Sequence, residues 1–262
     1  MTSSRLVLVL GMHRSGTSVA AAALPCLGVS LGDCLIGAAP DNERGFWEDA
    51  HVLDLDAAVL NALGQQWDTS TAIDTAGFSA PSVTRFSRTG RRIVQDRLSR
   101  FPLFGLKEPR ICRLLPFWRP ILQESGCEVA AVHVVRHPMS VAGSLAARNG
   151  LDVSRGLELW RRYVLDEFVH ADPDWPAVVV DHGALMHDPV GQLRRVGAAI
   201  SLELNDPNAE EFSRSFVDRG LWHQRDAREA AHEEVGDVWR LCQEAAADRL
   251  GVTELAERLR AM

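Results

Sequence analysis

Short, continuous apolar runs alternate along this chain with longer stretches in which apolar residues recur every three to four positions. Arg5-Leu-Val-Leu-Val-Leu10, Phe104-Gly-Leu-Lys107, Glu128-Val-Ala-Ala-Val-His-Val-Val135 and Ala177-Val-Val-Val180 have strand length. Hydrophobicity that is continuous rather than alternating marks strands covered on both faces. Between these runs, helical spacing occupies Val19–Leu27, Trp47–Leu63, Thr84–Arg100, a stretch from Pro109 through Trp118, one opened by Pro138, Leu157–Phe168, and one from Asp188-Pro189 to near Ser201. Strands alternating with helices predict a doubly wound parallel sheet. A fifth strand has room between Gly28 and Leu35, and the polar, Thr/Ser/Ala-rich stretch Gly64–Val83 reads as a surface loop or lid. From Ala209 onward the pattern is helical with interspersed charges. The expected organisation is one domain over residues 1–262, with an α/β core to about residue 205 and a helical C-terminal region from about residue 206. Ligands in such sheets sit at the C-terminal ends of the strands. Arg14, Lys107 and Arg136 each fall at or just past one of those ends.

Composition narrows the partners. At 262 residues, 46% hydrophobic and 24% charged, the chain can bury a substantial core. A net charge of −7 argues against a nucleic-acid partner, so any anion site must be local. The five cysteines (Cys26, Cys34, Cys112, Cys127, Cys242) are scattered without a C-x-x-C pair, which fits reduced thiols in a cytoplasmic protein and shows no zinc-ligand spacing. The first apolar run is too short for a signal-peptide core, and no stretch reaches the length of a membrane span.

The first strand runs directly into Gly11-Met-His-Arg-Ser-Gly-Thr-Ser18. Its glycines and final hydroxyl reproduce the phosphate-cradling frame G-x-x-x-x-G-K-[ST], but Thr17 occupies the lysine slot. Loop N–H groups and the following helix N-terminus together bind an anion. Arg14, inside the loop, can fork two anionic oxygens. All but one of the 28 Lys and Arg residues are arginine, and the exception is Lys107, in Leu106-Lys-Glu-Pro-Arg110. No acidic residue at a strand end stands out as a magnesium ligand, since Asp181 serves equally well as a helix cap. The loop therefore suits a phosphate that needs neither a metal nor a triphosphate clamp, as in a nucleotide 5′-phosphosulfate. A second motif, Val135-Arg-His-Pro-Met-Ser-Val-Ala-Gly-Ser144, places Arg136 at a strand end and Ser144 about two helical turns on, where the two could grip one phosphate.

Together the two motifs resemble those of the PAPS-dependent sulfotransferases (PAPS is 3′-phosphoadenosine-5′-phosphosulfate). The resemblance extends from residue 5 to about residue 200 and continues through Gly45-Phe-Trp-Glu48, Leu106–Arg110 and Val180-Asp-His-Gly-Ala-Leu-Met-His-Asp-Pro189. It is closest to bacterial members and, in the catalytic motifs, to the tyrosylprotein and Golgi-type branch. It implies a three-layer α/β fold like that of the P-loop NTPases, with a central parallel sheet. It further implies metal-independent, in-line transfer of a sulfuryl group to a hydroxyl or amine of a small-molecule or carbohydrate acceptor, releasing 3′,5′-ADP. His13, Arg14, Ser15, Gly16, Thr17 and Ser18 would form the 5′-phosphosulfate loop, with Arg136 and Ser144 on the 3′-phosphate. Glu48 would be the general base, and Lys107 and Arg14 would stabilise the transferring group. Glu108 stands where the family has aspartate, and Pro109 excludes the histidine base of the cytosolic branch.

Alternatives remain open at several positions. Asp49 and His51 are neighbouring candidates for the base, and His13 either donates to the phosphosulfate or caps the loop. The arginines of Thr84–Arg100 read as a solvated face, and Trp47, Trp118, Trp160, Trp222 and Trp239 as core or acceptor-pocket walls. The family's Arg-Lys-Gly triplet is missing from Phe216–Arg225, leaving Arg219 or Arg225 as its stand-in. The family's dimerisation motif is absent as well, so the oligomeric state stays open. A kinase-like phosphotransferase and a non-catalytic nucleotide-binding protein are the competing functions.

Overall fold

The computed structural model describes residues 4–38, 44–216 and 233–262. Four parallel strands, β1 (Arg5–Leu10), β2 (Leu103–Lys107), β3 (Glu128–Val135) and β4 (Ala177–Asp181), form one sheet in the order β2-β1-β3-β4. Helices cover both faces, which is the α/β architecture expected from the apolar runs. They are α1 (Thr17–Ala23), α2 (Ala50–Ala62), α3 (Pro81–Thr84), α4 (Ser87–Arg100), α5 (Ile111–Ser125), α6 (Pro138–Asn149), α7 (Val153–His170), α8 (His182–His187), α9 (Pro189–Ala199), α10 (Asp206–Ser215), α11 (Glu233–Ala246) and α12 (Val252–Arg260).

Period-two alternation divides β1 between two cores. Leu6, Leu8 and Leu10 join Val52 of α2, Ile93 of α4, Leu114 of α5, Trp160 of α7 and Leu255 of α12. Val7 and Val9 point the other way, onto Ala20 and Ala21 of α1, Leu185 of α8 and Val196 of α9. Each such side chain contributes roughly 1.5–3 kcal/mol when fully buried, so the sheet is the rigid base from which the strand ends project. Among the described residues, no helix is long and apolar enough to cross a membrane.

Four expectations are modified. The stretch between Gly28 and Leu35 makes only isolated bridges, Ser30 with Phe104 and Leu35 with Asp49, because only Val29 and Leu31 of its apolar residues are buried beside the sheet edge. Helix α5 continues past Trp118 to Ser125 with Pro116 and Pro120 inside it. The missing N–H at Pro120 costs about 3 kcal/mol, and burial of Ile121 and Leu122 offsets it. The Gly64–Val83 stretch carries a 3-10 turn (Thr75–Ser79) and α3, and it lays Trp67, Ile73 and Phe78 against the larger core. Finally, Arg97 in α4 is buried at 3% exposure rather than solvated.

Candidate active site

The glycine loop closes the C-terminal end of β1. Ser15 N–H donates to the Met12 carbonyl at 3.1 Å, and Val19 and Ala20 N–H donate to the Gly16 carbonyl, starting α1. Gly16 has φ 92, and a Cβ there would lie 2.1 Å from His182 Cδ2. Only glycine combines that backbone angle with that close approach. A Cβ at Gly11 would come within 2.5 Å of the Val134 carbonyl oxygen, and the Gly11 N–H donates to Cys112 Sγ at 3.0 Å. Thr17, in the lysine slot, is 3% exposed, with its methyl packed beneath Gly11.

The cation missing from the loop arrives from β2. Lys107 pairs in register with Val9, so its side chain leaves the sheet beside the loop. Its ammonium donates to Glu48 Oε1 at 2.5 Å, to the Phe46 carbonyl at 3.0 Å and to Ser18 Oγ at 3.4 Å. Burial draws the Lys107 pKa below the ordinary lysine value, against the opposing pull of Glu48. Glu48 is held from both sides. Its carbonyl accepts Ile36 N–H at 2.9 Å, and Trp47 before it has φ 60, a left-handed turn that costs a bulky residue roughly 1–3 kcal/mol. That turn lets Phe46 and Glu48 converge on one ammonium. Asp49 caps α2 by accepting His51 and Val52 N–H, and its other oxygen accepts Arg97 Nε at 2.7 Å. His51 Nδ1 also lies 2.9 Å from Arg97. The two alternative bases therefore face Arg97, while Glu48 faces Lys107.

A second arm lies across β3. Arg14 Nε donates to Ser144 Oγ at 2.9 Å, and Arg136 donates to the Arg14 carbonyl at 3.1 Å. Trp160 Nε1 donates to the Arg136 carbonyl at 3.1 Å, fixing that strand end. His182, at the start of α8, is buried with no hydrogen-bond partner for Nδ1 among the described residues. Burial, then the neighbouring Arg136, push its pKa down to about 3, so the ring is neutral. Asp181 accepts the Ala184 N–H as the cap of α8.

His13 stands where the arms meet. Its ring contacts Trp67 edge-on at 5.0 Å and Tyr163 at 5.8 Å, and Nε2 is buried without a partner. Burial holds it neutral, reinforced by Arg110, Lys107, Arg148 and Arg14. Trp67 is kept in place because its carbonyl accepts the Tyr163 hydroxyl at 2.7 Å. Arg113 donates to the Thr69 and Thr71 carbonyls at 2.6 and 2.7 Å, with Nε on Asp166. The polar stretch read as a lid is at this point a pinned wall.

Behind Lys107, Glu108 and Asp56 are both fully buried. Glu108 accepts the Arg110 N–H at 2.8 Å and pairs with the Arg110 guanidinium. Asp56 Oδ1 accepts Trp118 Nε1 at 2.8 Å, whereas Oδ2 has no donor. Burial, followed by the charge of Glu108, raises Asp56 well above the usual carboxylate range. A carboxyl whose pKa is raised on folding stabilises fully below its unfolded pKa, and that contribution is lost as pH rises through the folded value. Asp56→Asn, which has no titrating proton, is expected to show a smaller fall in Tm than wild type as pH is raised above the ordinary carboxylate range. Equal slopes would refute the raised Asp56 pKa.

The structure thus groups Glu48, Lys107 and Ser18 in one contact set and Arg14, Arg136 and Ser144 in another, with His13, Ser15, Gly16 and Thr17 forming the loop between them. Arg219, Arg225 and Trp222 lie outside the described residues. His182, Arg110, Arg148 and Trp67 are site neighbours that the sequence reading did not assign. Among the described residues, no three His, Cys, Asp or Glu side chains form a metal-binding group. No family model matches the chain, and no curated protein matches it. Among solved structures, a sulfotransferase domain from the Synechococcus PCC 7002 olefin synthase is similar at 17% sequence identity and a TM-score of 0.45, covering 91% of this chain and 88% of its own.

Proposed function

We propose that this chain is a PAPS-dependent sulfotransferase acting on a hydroxyl or amine acceptor. The observation that carries the reading is the position of Lys107, whose ammonium touches both Ser18 of the anion loop and the carboxylate of Glu48. An anion loop that takes its cation from the next strand, beside a carboxylate, suits a reaction that needs one compact positive charge on a leaving oxygen and one base facing it.

In this reading the loop N–H groups and Arg14 hold the 5′-phosphosulfate, and Arg136, Ser144 and neutral His182 line the 3′-phosphate side. The two arms are braced by the Arg14–Ser144 and Arg136–Arg14 contacts. Glu48 accepts the proton of the acceptor hydroxyl as its oxygen forms a bond to sulfur. The bond from sulfur to the bridging oxygen breaks, and the electron pair stays on the 5′-phosphate. Lys107, its pKa drawn down by burial, donates to that oxygen, with Arg14 beside it. Charge developing on the leaving phosphate is met by groups already in place.

The test joins binding to transfer. The wild-type protein is expected to bind 3′,5′-ADP and to move a radiolabelled sulfuryl group from PAPS to an acceptor in a mixed hydroxyl panel. Glu48→Gln is expected to lower kcat by roughly 100- to 10,000-fold while leaving 3′,5′-ADP affinity unchanged. Thermal stabilisation by ATP with Mg²⁺ but not by 3′,5′-ADP would overturn the reading, and full activity in Glu48→Gln would overturn the base assignment.

A further inference from the structure

Resting on that reading, we propose that Arg110 binds an anionic group of the acceptor. The site would then take a hydroxyl compound that carries a carboxylate, phosphate or sulfate near its reacting oxygen. Arg110 caps the start of α5, three residues beyond Lys107 and at the same strand end. Among the described residues its one acidic partner is Glu108, engaged through the main-chain N–H and through one terminal nitrogen. Nε and the second terminal nitrogen have no acceptor among the described residues. These two donors form one edge of the guanidinium fork, which matches the two oxygens of a carboxylate, phosphate or sulfate.

The support behind this arginine is asymmetric. Glu108 is fully buried, while the Arg110 side chain is 16% exposed, so the negative end lies in the core and the positive end faces the site. Asp56 adjoins Glu108 from α2, the helix that begins just after Glu48. A buried, hydrogen-bonded carboxylate behind a partly exposed guanidinium fixes its direction before any ligand arrives.

Arg110 stands apart from the 3′-phosphate arm. The carboxylates acting on Arg110 are Glu108 and Glu48, and its own charge acts on His13. His182, on the other arm, has Arg136 as its charged neighbour. Arg110 therefore stands on the side of Glu48, beside the wall formed by Trp67, His13 and Tyr163. The accessible part of that wall is Trp67 and His13, with fully buried Tyr163 behind them. The wall carries no formal charge at neutral pH, because burial keeps the Tyr163 phenol as well as the His13 ring un-ionised. A ring-bearing acceptor can lie against it with an anionic substituent on Arg110.

The test uses matched probes on the full-length protein, each titrated with and without saturating 3′,5′-ADP: glucuronate against glucose, and 4-hydroxybenzoate against phenol. At least one acid is expected to bind about tenfold or more tightly than its neutral partner, the size of a charge-assisted contact. Arg110→Gln is expected to abolish that preference and leave 3′,5′-ADP affinity within about twofold. Because Arg110→Gln leaves Glu108 without its cation, Arg110→Lys is measured beside it; it keeps a charge for Glu108 and is expected to lose most of the preference with the fork. No preference in the wild type, an undiminished preference in both variants, or a tenfold loss of 3′,5′-ADP affinity in both would overturn the proposal. Failure of the wild type to bind 3′,5′-ADP would instead remove the donor assignment, and the nucleotide-free titrations would still decide the role of Arg110.

Discussion

Lys107→Met is expected to lower kcat by roughly 1,000- to 10,000-fold and to weaken 3′,5′-ADP binding by only about ten- to a hundredfold. Methionine preserves the unbranched apolar stem that lies among buried neighbours and removes only the ammonium. The bridging oxygen stays on the 5′-phosphate of the product, so 3′,5′-ADP also loses one charge-assisted contact, while the loss at the transition state is larger. The same substitution has a structural cost, because Glu48, at 5% exposure, loses its cation. Breaking a buried ion pair by removing one partner costs about 3–5 kcal/mol. The paired change Lys107→Met/Glu48→Gln is therefore expected to regain most of the lost Tm and none of the lost turnover. Near wild-type kcat in Lys107→Met would remove the ammonium from the reaction centre. Equal Tm in the single and double variants would show that Glu48 does not depend on it.

Gly16→Ala is expected to be strongly damaging for a single added methyl. The left-handed φ of 92 costs an alanine about 1–2 kcal/mol. A Cβ lying 2.1 Å from His182 Cδ2 must also displace that ring, adding about 1–3 kcal/mol of overpacking. The loop N–H groups move with the backbone, so 3′,5′-ADP affinity is expected to fall more than about 100-fold. Adding His182→Ala removes the clash but not the backbone strain. The double variant should recover part of the Tm while its nucleotide affinity stays low. Wild-type affinity in Gly16→Ala would show that the loop does not hold the nucleotide.

How much of this was readable in advance varied with the kind of constraint. Glu128–Val135 emerges with the bounds read from the sequence because both its faces are covered, which makes the apolar run and the strand the same object. Glu48 could be singled out because Gly45-Phe-Trp-Glu48 resembles a sulfotransferase motif, and Lys107 because it is the one lysine in the chain. Their direct contact could not be, since it depends on a left-handed turn at Trp47 that no apolar period encodes. His182 was missed for a similar reason. It occupies the first position of a six-residue helix that reads locally as a loop, and only the fold carries it onto Gly16. The burial of Arg97 was hidden by the other arginines around it, since a helix rich in cations looks solvated until its one inward-facing member finds Asp49. Arg113, on α5, carried no signal in the sequence, yet its hold on the Thr69 and Thr71 carbonyls turns a polar stretch into fixed architecture.

The division of β1 between two cores bears on how such a protein can diversify. The helix behind the anion loop, α1, packs in the smaller core with α8 and α9, whereas the wall carrying Trp67 belongs to the larger core on the opposite face. A strand layer stands between them. Substitutions that reshape the wall are absorbed by one set of side chains, and those that steady the loop's helix by another. Under the proposed function, such chains can change acceptor while the means of holding the donor stays almost undisturbed.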